Sequence, residues 1–429
     1  MNSDRSIHPA SNTARFARPF VGVRVIDVSH VLAGPYCSYQ LALLGADVIK
    51  VEPPTKGDIA RTIGPNAELN ARGLGIGFLG QNSNKRSIAI DLKTAAGKEI
   101  LWRLIDTADV FSENFRPGVM HRLGFDADTV LGRRPNIIYA SLTGYGQEGP
   151  LSARPAYDHV LQGIAGMMFV NRTLAGEPHR IGFPVVDYVA GLVGAFAIAS
   201  ALYQRTHTGR GQRIDIAMLD TALAIMGPLI TEVAMTGRLN RPGGTRAFSG
   251  SPLSGIFETT DGLIVTTANT HGQAVAMLRA IGMEDCAEDP RLQNWGEHVG
   301  LGEEYAPRLR QIFAGESAAH WEDVLSAAGV PASRVRDLPE VLGHPHLARR
   351  EVLLDAPKMA GLDGTLRVPG VGFKLANGGQ TVDRPPPQRG QHSIEVLKTL
   401  GYSAQEIDDF IAIGAVGACE AGFAGKGRK

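Results

Sequence analysis

The sequence predicts an α/β fold, a doubly wound large unit with a parallel sheet plus a smaller α/β unit, on three observations. Apolar, β-branched runs alternate with helical spacings through the first half of the chain. The recurring theme is strand, short helix, strand, a βαβ unit that implies a parallel sheet. The composition then changes after about Asp220, where a loop rich in Arg and Gly precedes a fresh set of strand and helix patterns.

Taken in order, Val23 to Val28 is apolar and β-branched and reads as a buried strand. A Gly-Pro loop (Ala33, Gly34, Pro35) leads into helical spacing from Tyr36 to Leu44, and Ala46 to Val51 is the second strand. Ser87 to Leu92 reads as a strand, Ala95 to Ala108 as an amphipathic helix, and Val110 with Phe111 as the start of a further strand. Ile137 to Leu142 is a strand ending at Thr143 and Gly144. Val189 to Gln204 is a long apolar helix, and Arg213 to Ala217 alternates as a strand does. Beyond the Gly237–Gly255 loop, Gly262 to Thr267 is a strand, and Gly272 to Ile281 and Trp321 to Ala328 are helices. The layout places the large unit at 20–224, the small one at 225–335, and a final segment at 336–429.

Length supports two units, since 429 residues exceed one small core. Hydrophobic residues at 44% suffice to fold without metal or disulfide staples. Lys+Arg and Asp+Glu are both 43, so no basic excess points to nucleic acid, and any anion site must be local. Three cysteines (Cys37, Cys286, Cys419) give neither a disulfide framework nor zinc spacing and suit a reducing, cytoplasmic setting. The apolar stretches read as too short for a membrane span. The N-terminus has arginines but no apolar h-region, so it does not read as a secretory signal.

Several motifs fall away. Gly75, Gly77 and Gly80 match G-x-G-x-x-G, but polar residues precede them and no apolar helix follows, so the dinucleotide reading fails. No Walker loop, H-E-x-x-H or G-x-S-x-G is present. His30 and His159 have no partner at ligand spacing, and no metal site is expected.

Four stretches remain. Ser29 to Pro35 follows the first strand, where ligands of open parallel sheets bind. Asn84 to Ser87, with Lys85 and Arg86, and Glu113 to Gly118 followed by Arg122 to Phe125, put amide and basic donors at strand edges and helix starts. Such groups suit phosphate oxygens. Solvated surface charge is the competing account of Lys85, Arg86, Arg116 and Arg122. The fourth stretch is Arg154 to Gly163, in which Asp158 precedes an apolar run. Two readings of Asp158 stay open: a helix N-cap, or a carboxylate kept dry to attack an acyl carbon.

These stretches carry a resemblance. S-H-V-L-A-G-P (Ser29–Pro35), G-A-D-V-I-K-V-E (Gly45–Glu52), G-D-I-A-R (Gly57–Arg61), N-K-R-S-I (Asn84–Ile88), E-N-F-R-P-G (Glu113–Gly118), L-T-G-Y-G-Q-E-G-P (Leu142–Pro150), A-Y-D-H-V (Ala156–Val160), T-G-R-G-Q-R-I-D (Thr208–Asp215), G-V-P (Gly329–Pro331) and H-P-H-L (His344–Leu347) stand in order along the chain. Together they resemble the class III coenzyme A transferases, typified by formyl-CoA and L-carnitine CoA-transferases. The resemblance implies a Rossmann-like large domain to which the final segment at 336–429 returns, an interlocked homodimer, and an active site at the domain and subunit boundary. It places the nucleophile on Asp158 and CoA contacts on His30, Val31, Lys85, Asn114, Phe115, Arg122 and Leu123. It implies acyl-CoA and a carboxylic acid as substrates, with CoA entering as substrate and no resident cofactor. Leu32, Pro53 and Thr143 depart from formyl-CoA transferase, which has Gln, Arg and Lys there, so oxalate is not the expected acceptor. A longer dicarboxylate is expected instead, its distal carboxylate gripped by Arg246 or Arg72. Backbone N–H groups near Gly144, Gly146 or Gly250 are the expected oxyanion donors. The Phe248–Gly255 segment is expected to replace the family's glycine loop. Two alternatives stand beside this: a 2-methylacyl-CoA racemase of the same fold, using Asp158 with a His, and a CoA-binding partner subunit.

Overall fold

A computed structural model describes residues 18–419, apart from 174, 240–250 and 295–299. The chain divides into two units. The larger comprises Met1–Ala165, Gly182–Met226 and His346–Lys429, and the smaller Gly166–Ile181 and Gly227–Pro345. The small unit therefore begins two residues later than the sequence pattern indicated, runs ten residues further, and takes in a detached piece around residues 166–181.

The large unit is built on a seven-stranded sheet. Its strands are β1 (Arg24–Asp27), β2 (Asp47–Glu52), β3 (Lys85–Ile90), β4 (Val110–Glu113), β5 (Ile138–Thr143) and β6 (Gln212–Ala217), all parallel. The edge strand β10 (Val416–Gly417) pairs antiparallel with β3, and the strands lie in the order β10-β3-β2-β1-β4-β5-β6. Val25 faces Val48 of β2 on one side and Val110 of β4 on the other. The order reverses at β1, so a crevice opens between the carboxyl ends of β1 and β4, the switch point where doubly wound sheets bind ligands.

Four helices matter below: α1 (Ala33–Leu43), α2 (Ala95–Thr107), α3 (Asp158–Ile164) and α4 (Val185–Thr208). Thr94 caps α2 by accepting from Gly97 N–H, and Ile100, Leu101, Leu104 and Ile105 bury its apolar stripe against the sheet. By length and composition α4 is apolar enough to cross a membrane, which corrects the expectation that every apolar stretch is too short. Its use here is packing: Gly191 and Gly194 lie against α1. A Cβ added at Gly191 would sit 2.8 Å from the carbonyl oxygen of Ala33. Only glycine permits that approach.

The small unit has a three-stranded antiparallel sheet, β7 (Gly255–Glu258), β8 (Leu263–Thr266) and β9 (Ala332–Arg334). Met277, Leu309, Phe313, Trp321 and Leu325 form its core. The helix Gly302–Phe313, part of that core, had no clear sequence signal because Pro307 lies within it.

Candidate active site

The loop after β1 is fixed by buried side chains. Val31 has φ +73°, a left-handed conformation rare for a β-branched residue. Its N–H donates to Asp58 Oδ1 (3.1 Å) and its carbonyl accepts from Gln81 Nε2 (2.6 Å). Asn114, just past β4, accepts from His30 N–H (2.8 Å) and donates to the His30 carbonyl (2.7 Å), which ties the two strand ends together across the switch point. Lys50 donates to the Ser29 carbonyl and pairs with Asp58 at 2.9 Å. Asp27 accepts from Ser29, from Ser38 Oγ and from Lys85 Nζ (3.2 Å), and Lys85 also donates to the Pro35 carbonyl (2.8 Å). Burial pushes the Asp27 carboxyl up, but Lys85, Lys50 and the two serine hydroxyls outweigh it and hold it at about 2. Burial pulls the Lys85 ammonium down to about 8, against the attraction of Asp27. The His30 imidazole is lowered first by burial and then by Lys50.

Beside this loop lies a groove of about 880 Å³. His30, Phe115 and Leu123 line it, with Lys56, Lys93 and Arg389 among the cations at its walls. His30 meets the edge of Phe115 at 5.7 Å between ring centres. Glu113 accepts from Phe115 N–H at 2.8 Å and so sets the ring's position.

The sequence-derived CoA residues therefore separate by role. His30, Phe115 and Leu123 face the groove. Val31 and Asn114 hold the loop through their backbone and amide contacts. Arg122 is exposed on the short helix that carries Leu123. Lys85 is a correction: it is fully buried beneath the loop and does not line the groove. Neither the phosphate-contact nor the solvated-surface reading describes it, because its ammonium is spent on Asp27 and the Pro35 carbonyl. Arg86 is likewise paired, with Asp47 and Glu395. Lys56, Lys93 and Arg389 carried no motif, so sequence patterns passed over them.

Asp158 opens α3, but Tyr157 is the residue in the N-cap position. The carboxylate is buried and caps a different helix. Its Oδ2 accepts from the N–H groups of Val186 (2.7 Å) and Asp187 (3.2 Å), in the first turn of α4, and its Oδ1 accepts from Gln162 Nε2 (2.6 Å). A negative charge is favoured at such an N-terminus. These donors, rather than Gly144 or Gly146, meet the carboxylate, and Gly250 lies outside the described residues. The Ala33 N–H acts weakly on the Asp187 carboxylate, and α4 packs directly on α1, the helix that follows the loop after β1.

Burial first, and then the charge of Asp158, push the Asp187 carboxyl up to about 7. It is neutral below that pH and ionises as the pH rises through it. A second negative charge then stands beside Asp158 and repels any anion that approaches it. We expect activity to fall as pH rises through about 7, and Asp187→Asn to flatten that limb. An unchanged limb in the variant assigns it to another group. The folded state also binds more protons than the unfolded one between about 4 and about 7, so this group makes stability decline with rising pH across that window.

His159 is exposed and stacks on Tyr157 (ring centres 6.5 Å apart), away from any pairing with Asp158. Arg72 is engaged with Glu68 and the Gly361 carbonyl. Arg246, and Phe248 to Gly250 of the Phe248–Gly255 segment, lie outside the described residues. Among the described residues no cluster of His, Cys, Asp and Glu is arranged to hold a metal.

A Rossmann-type sheet with a groove beyond the carboxyl ends of its strands, and a buried carboxylate held at a helix N-terminus, make up the candidate active site. Comparison with known proteins gives the family. Residues 20–393 match the model for CoA-transferase family III, and the chain belongs to that family. It is a CoA-transferase. It is 34% identical to an acyl-CoA transferase of Fusarium pseudograminearum, over 95% of this chain and 90% of that one. It is 35% identical to acetyl-CoA:oxalate CoA-transferase of Acetobacter aceti, over 86% and 92%. It is 30% identical to human succinyl-CoA:glutarate CoA-transferase, over 93% and 90%. The crystal structure of Rv3272 from Mycobacterium tuberculosis superposes with a TM-score of 0.77 at 32% identity, covering 88% of this chain and 99% of that one.

Proposed function

We propose that the enzyme moves CoA from an acyl-CoA to a free dicarboxylic acid, with Asp158 as covalent nucleophile. The observation that carries this is the Asp158 carboxylate, buried between α3 and the N-terminus of α4, a helix packed against the one that follows the loop beside the groove. The carboxylate attacks the thioester carbonyl and displaces CoA thiolate, leaving a mixed anhydride. The thiolate attacks the aspartyl carbonyl and expels the donor's acid, leaving an aspartyl-CoA thioester. The acceptor acid then runs both steps in reverse. Covalent catalysis divides one exchange into easier steps, and exclusion of water preserves the thioester. Every step is attack at an acyl carbon without change of oxidation state, so the balance calls for no redox group, and CoA enters as substrate.

The relatives that act on glutarate and on oxalate support a dicarboxylate acceptor, and the glutarate relative supports succinyl-CoA as donor. The oxalate relative supports keeping oxalate among the acceptors to be tested. A panel of acyl-CoA donors against mono- and dicarboxylic acids, read by mass spectrometry, tests the reading. Dicarboxylates, oxalate included, are expected to dominate. Acceptance of monocarboxylates alone would contradict it.

The groove is the proposed seat of the CoA nucleotide, with its phosphates toward Lys56, Lys93 and Arg389. Charge reversal at Lys56 and Lys93 together is expected to raise KM for acyl-CoA about tenfold or more, since charge-assisted hydrogen bonds contribute ~1.5–3 kcal/mol each. The effect should shrink at high salt. An unchanged KM would move the phosphates elsewhere.

The homodimer belongs to the same proposal. Leu192, Phe196 and Tyr203 recur on one face of α4 and are 43%, 73% and 69% exposed. Large apolar patches of this kind mark interaction surfaces. Phe196→Asp is expected to lower the mass seen by light scattering from dimer toward monomer, whereas an unaltered dimer would exclude this face from the interface.

A further inference from the structure

The two oxygens of Asp158 are held in different ways. Oδ1 accepts from the side-chain amide of Gln162, which itself is buried one turn further along α3. Oδ2 accepts from two backbone N–H groups of α4, those of Val186 and Asp187. A glutamine amide is released by rotating its own side chain. The first-turn N–H groups of a 24-residue helix cannot move without unwinding it. One oxygen is thus freed easily and the other is anchored.

Resting on the aspartyl mechanism above, we propose that the two oxygens keep separate roles through every turnover. Oδ1 is the attacking and departing atom. Oδ2 stays in an oxyanion site made by the Val186 and Asp187 N–H groups, and Gln162 keeps the resting carboxylate from flipping.

The electron accounting fits this assignment. Oδ1 gives a lone pair to the acyl carbon, and the thiolate leaves with the C–S bonding pair. When the thiolate adds to the Asp158 carbonyl carbon, the C=O pair moves onto Oδ2. Negative charge therefore develops where two donors and the positive end of α4 already point, the condition for stabilising a tetrahedral intermediate. Collapse breaks the bond to the original Oδ1, which leaves as part of the donor's acid. The acceptor's carboxylate oxygen attacks the aspartyl thioester, again passing charge through Oδ2, and expels the thiolate. The thiolate takes the acceptor's acyl group, and the acceptor's oxygen remains on Asp158. Each turnover replaces one oxygen of Asp158 and retains the other. Gln162 is a positioning residue in this scheme.

The test is turnover of the full-length enzyme with succinyl-CoA and a large excess of glutarate carrying oxygen-18 in both carboxylates, with glutaryl-CoA formation followed in parallel. Mass spectrometry of the Asp158 peptide after many turnovers should show a plateau at one heavy oxygen. Progression to two heavy oxygens would overturn the fixed roles while leaving the nucleophile in place. Glutaryl-CoA formation with no label in Asp158 would overturn the nucleophile itself, and this assignment with it. In Gln162→Leu the second heavy oxygen is expected to enter. The same variant holding at one would overturn the role given to Gln162.

Discussion

Asp158→Asn is expected to cut CoA transfer by about 10⁴-fold or more, the scale seen when a covalent nucleophile is removed, while leaving the fold intact. The geometry explains both halves. An asparagine carbonyl oxygen accepts from the Val186 and Asp187 N–H groups as the carboxylate does, so the first turn of α4 stays capped. What it loses is the anionic oxygen that attacks the thioester. Asp158→Ala differs in kind. It removes the nucleophile and also strands two helix N–H groups in a buried place, at a cost of about 1–2 kcal/mol. Comparing the two variants separates chemistry from capping. Steady-state rates and urea unfolding of both variants check the result: an active Asn variant would contradict the nucleophile, and an unfolded one would contradict the capping geometry.

The second large effect lies under the loop. Lys85→Ala is expected to destabilise the enzyme by about 3–5 kcal/mol, because it leaves the buried Asp27 carboxylate without its cation. The carboxylate would keep only the two serines and the more distant charge of Lys50, and the Pro35 carbonyl would lose its donor. The loop that holds Val31 in its left-handed conformation would loosen with it, so KM for acyl-CoA should rise as well. A residue whose only role was to touch a ligand phosphate would raise KM and leave unfolding unaltered. Replacing Lys85 with Met and Asp27 with Asn together should recover part of the stability, since removing both charges avoids stranding either. The midpoint of urea unfolding for the single and double variants decides between these accounts.

Much of the fold was legible because buried parallel strands and amphipathic helices write strong periodic signals. β1, β2 and β5 lie within a residue or two of their apolar runs. β3 begins two residues before its expected start because Lys85 and Arg86 are strand residues, tolerated there by their ion pairs with Asp27 and Asp47. A charge pattern alone cannot show that its partners are waiting on neighbouring strands. Asp158 shows the same limit. Its local sequence posed a choice between cap and nucleophile for its own helix. The helix it caps begins 27 residues later, a pairing that only the fold brings about. The groove cations were invisible for a similar reason: Lys56, Lys93 and Arg389 come together from three separate loops.

The most direct measurement is the mass of the Asp158 peptide after brief incubation with acyl-CoA and rapid quench. The mechanism predicts a CoA or acyl adduct on Asp158 that hydroxylamine converts to the hydroxamate and that Asp158→Asn never forms. Steady transfer with no adduct on Asp158, or α-proton exchange in deuterated water without any acid acceptor, would contradict it.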